Sequence, residues 1–258
     1  SVLPKLIARP RAKRRGAPQL TICNTPGAQT TRVADGFVLT RCGPEVAVAS
    51  TKTLTASITA LYLLACRIGR ARGVVSDERL AELLDALAHV PSLMGQILTL
   101  DAHIAAVAAR LAFSENFLFL ARGLQHAMAM EGALKLKEVS YIHAEGYPAG
   151  EMKHGPIALI DRRMPVVAIA LDDGSRDKML SNIEQVRARD GIVIGILTQG
   201  DDEIAAKCDD AIFLPRTTPL LYPLLSAIPM QLLSYHIAVK RGCDVDQPRN
   251  LAKTVTVE

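Results

Sequence analysis

Short apolar runs alternate along this chain with stretches of helical period. Leu20-Thr21-Ile22-Cys23 reads as a strand, followed by a loop over 24–27, and Phe37-Val38-Leu39-Thr40 reads as a second short strand. A long helix should follow over 50–72 and end near Gly73. Ser76 then stands where an N-cap belongs, although Arg79 takes the place of a capping-box Glu, and two helices fill 77–110. The cycle restarts with Phe117-Leu118-Phe119-Leu120 as a strand and 127–139 as a helix. Two continuous apolar runs, Val166-Val167-Ala168-Ile169-Ala170 and Ile192-Val193-Ile194-Gly195-Ile196-Leu197, suit strands covered on both faces. The helical stretch 175–189 between them completes a β-α-β unit. A strand over 211–214 and a helix over 224–240 follow, with Pro229 kinking that helix or displacing its start.

The pattern predicts an α/β protein with parallel sheets in two lobes. The domain reading is a first lobe at 1–76, a helical connection at 77–110, a second lobe at 111–243 and a tail at 244–258. The first lobe offers only two strands, too few for an independent three-layer domain.

Composition narrows this further. Aromatic residues are 4% of the 258 and Trp is absent, so the core must be built from aliphatic side chains and Met. A basic run (Lys5, Arg9, Arg11, Lys13, Arg14, Arg15) has no aromatics interleaved and reads as a solvated helix face rather than a nucleic-acid surface. The five cysteines are scattered, with no Cys-x-x-Cys pair, which points to a reducing, cytoplasmic setting without disulfides or a zinc site. The apolar stretch at 58–68 is broken by Arg67 and is too short for a membrane span.

Candidate chemistry concentrates in two segments. On a helix, Glu131, Lys135 and Glu138 fall at i, i+4 and i+7 and share one face. A carboxylate base beside an amine that tunes it suits proton shuttling next to a carbonyl, while a plain solvated ion-pair face is the alternative. The segment 143–156 reads as a polar loop carrying His143, Glu145, Glu151, Lys153 and His154. His154 is a candidate acid or base, and His143 with Glu145 could ligate a metal, though their spacing matches no familiar metal motif. Ser50 and Thr51 open a helix, offering hydroxyls and N–H groups to a sugar or an anion, or acting only as caps. The last fifteen residues lack periodicity and read as a loose extension unless tied down.

Together these segments resemble the isomerase half of the glucosamine-6-phosphate synthase family. The resemblance rests on Gly43-Pro44-Glu45 with Val48-Ala49-Ser50-Thr51-Lys52, on Glu131-Gly132-Ala133-Leu134-Lys135-Leu136-Lys137-Glu138, on Tyr141-Ile142-His143-Ala144-Glu145 and on Lys153-His154-Gly155-Pro156. Its last block is Asp244-Val245-Asp246-Gln247-Pro248-Arg249-Asn250-Leu251-Ala252-Lys253 with Val255-Thr256-Val257-Glu258. It implies an α/β fold of two sugar-isomerase (SIS) type three-layer subdomains with parallel sheets, the first incomplete. It further implies a fructose 6-phosphate or glucosamine 6-phosphate substrate, no cofactor and no metal, and a homodimer without nucleic-acid or membrane partners. Carried over by position, Lys253 forms a Schiff base with the open-chain ketose, and Glu138 moves a proton between C1 and C2 with help from Lys135. His154, supplied by the neighbouring protomer, helps open the ring, and Val48, Ser50 and Glu131 line the sugar site.

The chain departs from the family in two respects. The glutaminase domain, the family's ammonia source, is expected to be absent from this chain. So are the Cys-Gly-Thr-Ser and Ser-Gln-Ser-Gly loops that hold phosphate in the first subdomain. Cys42 and Ala47 stand where Ala and Gly are expected. A ketose/aldose phosphate isomerase without an ammonia step, and a non-catalytic sugar-phosphate-binding module or decayed fragment, are the alternatives.

Overall fold

The computed structural model describes residues 14–252, so most of the basic run at 5–15 and the tail from Lys253 onward lie outside the described residues. Two units are present: one formed by Ser50–Ser76 with the described residues up to Glu45, the other by Val46–Ala49 with the chain from Asp77 onward.

In the first unit β1 (Leu20–Cys23) pairs in parallel with β2 (Gly36–Leu39), with α1 (Gln29–Val33) between them and α2 (Lys52–Ala71) following. Asn24 joins the loops beyond both strands. Its amide donates to the Gly43 carbonyl at 2.6 Å and its oxygen accepts from the Thr40 hydroxyl and the Cys42 N–H, each at 3.0 Å. Helix α2 ends where Gly73 takes a φ of +68°, a left-handed value that glycine adopts without steric cost. Two strands cover little apolar surface, and about half of Leu20 and Phe37 stays exposed.

The second unit opens with α3 (Asp77–Leu98) and α4 (Asp101–Leu111), directly after Ser76. Next come β3 (Asn116–Ala121), α5 (Leu124–Ser140), β4 (His143–Pro148) and two 3-10 turns, Ala149–His154 and Pro156–Leu159. The unit closes with β5 (Val166–Ala170), α6 (Arg176–Arg187), β6 (Val193–Thr198), α7 (Asp202–Ala205), β7 (Asp210–Leu214) and α8 (Tyr222–Lys240). The five strands are parallel, in the order β4-β3-β5-β6-β7. Alternate residues explain the unbroken apolar runs. Leu118, Leu120, Val166 and Ala168 pack against Met179, Ile183 and Val186 of α6. The opposite face carries Phe119, whose ring lies where α5 approaches through Gly132. Both faces are therefore covered, and period-two alternation of polar and apolar residues is lost.

Helix α8 runs on through Pro229 and starts at Tyr222, two residues before the expected position, with Pro223 in its first turn, where a missing N–H costs nothing. The segment at 143–148 is a strand, not the start of a polar loop. It lies at the sheet edge, where only one side makes ladder bonds and polar side chains stay solvated. Gly146 on that strand lies so close to the Met130 backbone of α5 that a Cβ there would overlap it. Among the described residues no single helix is long and apolar enough to cross a membrane.

Candidate functional site

Lys135, Glu131 and Glu138 project from one face of α5, as their spacing requires. Lys135 Nζ donates to Glu138 Oε2 at 2.6 Å and lies 3.4 Å from Glu131 Oε1. The lysine side chain is only 5% exposed, against 21% and 22% for the two carboxylates. This is not a solvated ion-pair face: an ammonium is enclosed between two carboxylates that open outward. Burial pushes the Glu131 carboxyl above its ordinary value of 4.5; the Lys135 charge and hydrogen bond pull it back, and Glu138 pushes it further up. Beside them on α5 runs an exposed stripe of Leu124, Ala127, Met130 and Leu134.

Lys135→Met is expected to leave two partly buried carboxylates facing each other and to destabilise the fold by about 3 kcal/mol near pH 8, the low end for a broken buried pair because both carboxylates reach solvent. A carboxyl whose folded pKa is raised binds protons more readily when folded, so stability falls as pH rises through that range. The penalty should therefore shrink toward pH 5. Equal urea midpoint shifts at pH 5 and pH 8 would contradict this arrangement.

His154 ends the 3-10 turn Ala149–His154 with its side chain 74% exposed and Glu151 at 3.9 Å. Gly155, at φ +153°, follows it. His143 and Glu145 share the outer face of β4, and among the described residues no group of three His, Cys, Asp or Glu side chains gathers for a metal.

The start of α2 holds an anion of its own. Burial alone would raise the Glu45 carboxyl, but bonds from the Thr53 hydroxyl, the Thr51 and Thr53 N–H groups and the Ser50 hydroxyl hold it below the ordinary carboxylate value. Thr51 N–H donates to it at 2.8 Å and Thr53 N–H at 3.4 Å. The donors read as open to a substrate anion are thus engaged by the chain itself, while the Ser50 hydroxyl also bonds that of Thr53. Glu45 could have been found from sequence only by knowing that the chain folds back six residues before the helix.

The tail is tied down as far as it is described. Val48 N–H donates to the Asp246 carbonyl at 2.9 Å, and Asp244 Oδ1 accepts the N–H groups of Asp246 and Gln247. Val245 and Cys243 pack on Ala49, Val139 and Ala238. Arg249 N–H donates to Tyr141 Oη at 2.8 Å, and its guanidinium carbon sits 4.2 Å from the centre of the Tyr141 ring. Lys253 itself lies outside the described residues.

A cleft of about 780 Å³ lies elsewhere, at the starting ends of β3 and β4, between Arg110, Glu115, His143, Glu145 and Arg163. Its two arginines are already paired, Arg163 with Asp161 and Arg110 with Asp210, so it offers an anionic ligand little unsatisfied positive charge.

The SIS domain family profile matches residues 110–241. The chain is 51% identical over 247 residues to a glutamine–fructose-6-phosphate aminotransferase (isomerizing) of Thermus thermophilus, covering 96% of this chain and 41% of that protein. It is 48% identical to the Bacteroides thetaiotaomicron protein of the same name, with 96% and 40% covered. The chain thus spans about two fifths of these relatives. Among solved structures, the C-terminal domain of glucosamine-fructose-6-phosphate aminotransferase from Francisella tularensis superposes with a TM-score of 0.89 at 38% identity, covering 92% of this chain and 67% of that one.

Proposed function

The chain belongs to the SIS-domain family, and from that premise we propose that it carries the ketose-to-aldose step of glucosamine 6-phosphate formation, acting on fructose 6-phosphate. The observation that carries this reading is the enclosed Lys135 between Glu131 and Glu138, because a proton shuttle needs a carboxylate held in place by a cation and still open on one side.

The Lys253 amine adds to C2 of the open-chain ketose, loss of water leaves an iminium ion, and ammonia then adds to C2 and expels the Lys253 amine, so that the sugar carries a C2 iminium whose nitrogen comes from ammonia. Glu138 then takes a C1 proton, the C1–H electron pair forms the C1–C2 double bond, and the iminium π pair returns to nitrogen. Reprotonation at C2 with loss of the C1 hydroxyl proton gives the aldehyde. Lys135 holds the Glu138 carboxylate, and Val48, Ser50 and Glu131 belong to the sugar site. His154 assists ring opening in a second copy, and the apolar stripe of Leu124, Ala127, Met130 and Leu134 supports a homodimer. Five unpaired cysteines suit the cytoplasm.

The test is NMR of fructose 6-phosphate with the protein in deuterated water, with and without an ammonium salt. Glucosamine 6-phosphate, deuterated at C2 and formed only with ammonium, supports this reading. Glucose 6-phosphate alone would favour a simple ketose/aldose isomerase. Saturable binding without any solvent exchange would favour a binding module.

A further inference from the structure

We infer that Glu45 commits the Ser50 hydroxyl proton to the chain itself, so that Ser50 meets the substrate only as a hydrogen-bond acceptor and selects a sugar hydroxyl rather than a phosphate oxygen; this rests on the reading that places Ser50 in the sugar site. A carboxylate can only accept, whereas a Ser or Thr hydroxyl has one proton to give and two lone pairs. Glu45 Oε2 takes the Thr53 hydroxyl proton. Thr53 then has none left for Ser50, so in the contact between these two hydroxyls Ser50 is the donor. The Ser50 hydroxyl also bonds Glu45 directly, and the carboxylate again can only take the proton. Whichever neighbour it faces, the Ser50 proton stays inside the cluster, and what Ser50 presents outward is lone pairs.

The order of protons holds because Glu45 stays ionised. Its Oε1 accepts the Thr51 N–H at 2.8 Å, the Thr51 hydroxyl at 3.3 Å and the Thr53 N–H at 3.4 Å. These bonds favour the charged form and outweigh the burial that opposes it. Ser50 is only half-buried, so its oxygen is not sealed from a ligand. A sugar hydroxyl has a proton to give to that oxygen. An ionised phosphate oxygen has none and would meet lone pairs beside a carboxylate, so the polyol end of a sugar phosphate, not its phosphate, belongs here. Glu45 is not asked to touch the sugar and acts through Ser50 as a positioning residue. A plain cap of the α2 N–H groups would need only an oxygen at this place; the order of protons needs a carboxylate.

Glu45→Gln separates the two. It keeps an oxygen for the Thr51 and Thr53 N–H groups but sets an NH2 beside the Thr53 hydroxyl, which turns its own proton to Ser50 and releases the Ser50 proton outward. The experiment measures, by calorimetry without ammonium, how the parent, Glu45→Gln and Ser50→Ala bind fructose 6-phosphate and its analogues with fluorine in place of the hydroxyl at C1, C3 or C4. Fluorine cannot donate. At one position the parent should prefer the hydroxyl sugar about tenfold, and the preference should fall to about twofold or less in both variants. Both sugars meet the same sample, so any loss of folded protein cancels in that ratio. Inorganic phosphate should leave the Thr51 and Thr53 amide resonances of the parent unmoved. A preference that vanishes in Ser50→Ala and persists in Glu45→Gln would overturn the role of Glu45. No preference at any position, in a parent that binds the sugar, would overturn the acceptor role of Ser50, and phosphate that shifts the two amides would overturn the exclusion of an oxyanion. Preferences that all survive Ser50→Ala would remove Ser50 from the sugar site, and no binding of fructose 6-phosphate by the parent would remove the sugar reading itself; the inference falls with either.

Discussion

Glu138→Gln is expected to slow solvent exchange at C1 of fructose 6-phosphate by about 10²–10⁴-fold, the usual share of a general base, while sugar binding measured by calorimetry stays near the parent value. The amide keeps the length and shape of the carboxylate and can still accept from Lys135 Nζ, which now lies 2.6 Å from Glu138 Oε2. Lys135 keeps Glu131 as a counter-charge at 3.4 Å, so the cation is not stranded. The substitution thus removes a proton acceptor and little else. Exchange at the parent rate would transfer the proton step to another group, with Glu131 the first alternative because it shares the same ammonium and burial raises its carboxyl.

Lys253→Arg is expected to abolish the cyanoborohydride-reducible adduct with fructose 6-phosphate. A guanidinium keeps the positive charge but stays protonated at any pH the protein tolerates, so it has no lone pair to attack C2. Lysine must shed its proton first, which a site with neighbouring cations or little water favours. Peptide mass spectrometry after reduction should place the sugar on the last tryptic peptide of the parent and on no peptide of the variant. An adduct that persists in Lys253→Arg, on any lysine of the described chain, would mean that the amine was assigned to the wrong residue. A variant that loses the adduct but still binds the sugar would separate imine formation from recognition.

Much of the architecture was legible because most elements obey local rules. The runs at 117–120, 166–170 and 192–197 are apolar at every position, and they are the central strands of a sheet covered on both faces. The shared face of Glu131, Lys135 and Glu138 followed from helical spacing alone. The edge strand His143–Pro148 was not legible. Its alternation rests on Ala144 and Gly146, too little apolar character to stand out from a polar loop, and it is a strand because β3 supplies the ladder and α5 the covering face.

Sequence by itself determined the α/β class, the parallel strands, the α5 face and the resemblance that assigns roles to Glu138 and Lys253, because these depend on periodicity and on residue identity. Only the tertiary structure decided how enclosed Lys135 is, that Glu45 occupies the N-terminus of α2, and that the tail is held by Tyr141 and Val48. Those three outcomes depend on which distant residues meet. Ser140, for instance, ends a helix whose far side is sealed by α8, and Arg249 meets a ring 108 positions earlier in the chain. Burial and long-range hydrogen bonds arise from packing between elements, and no local pattern encodes them.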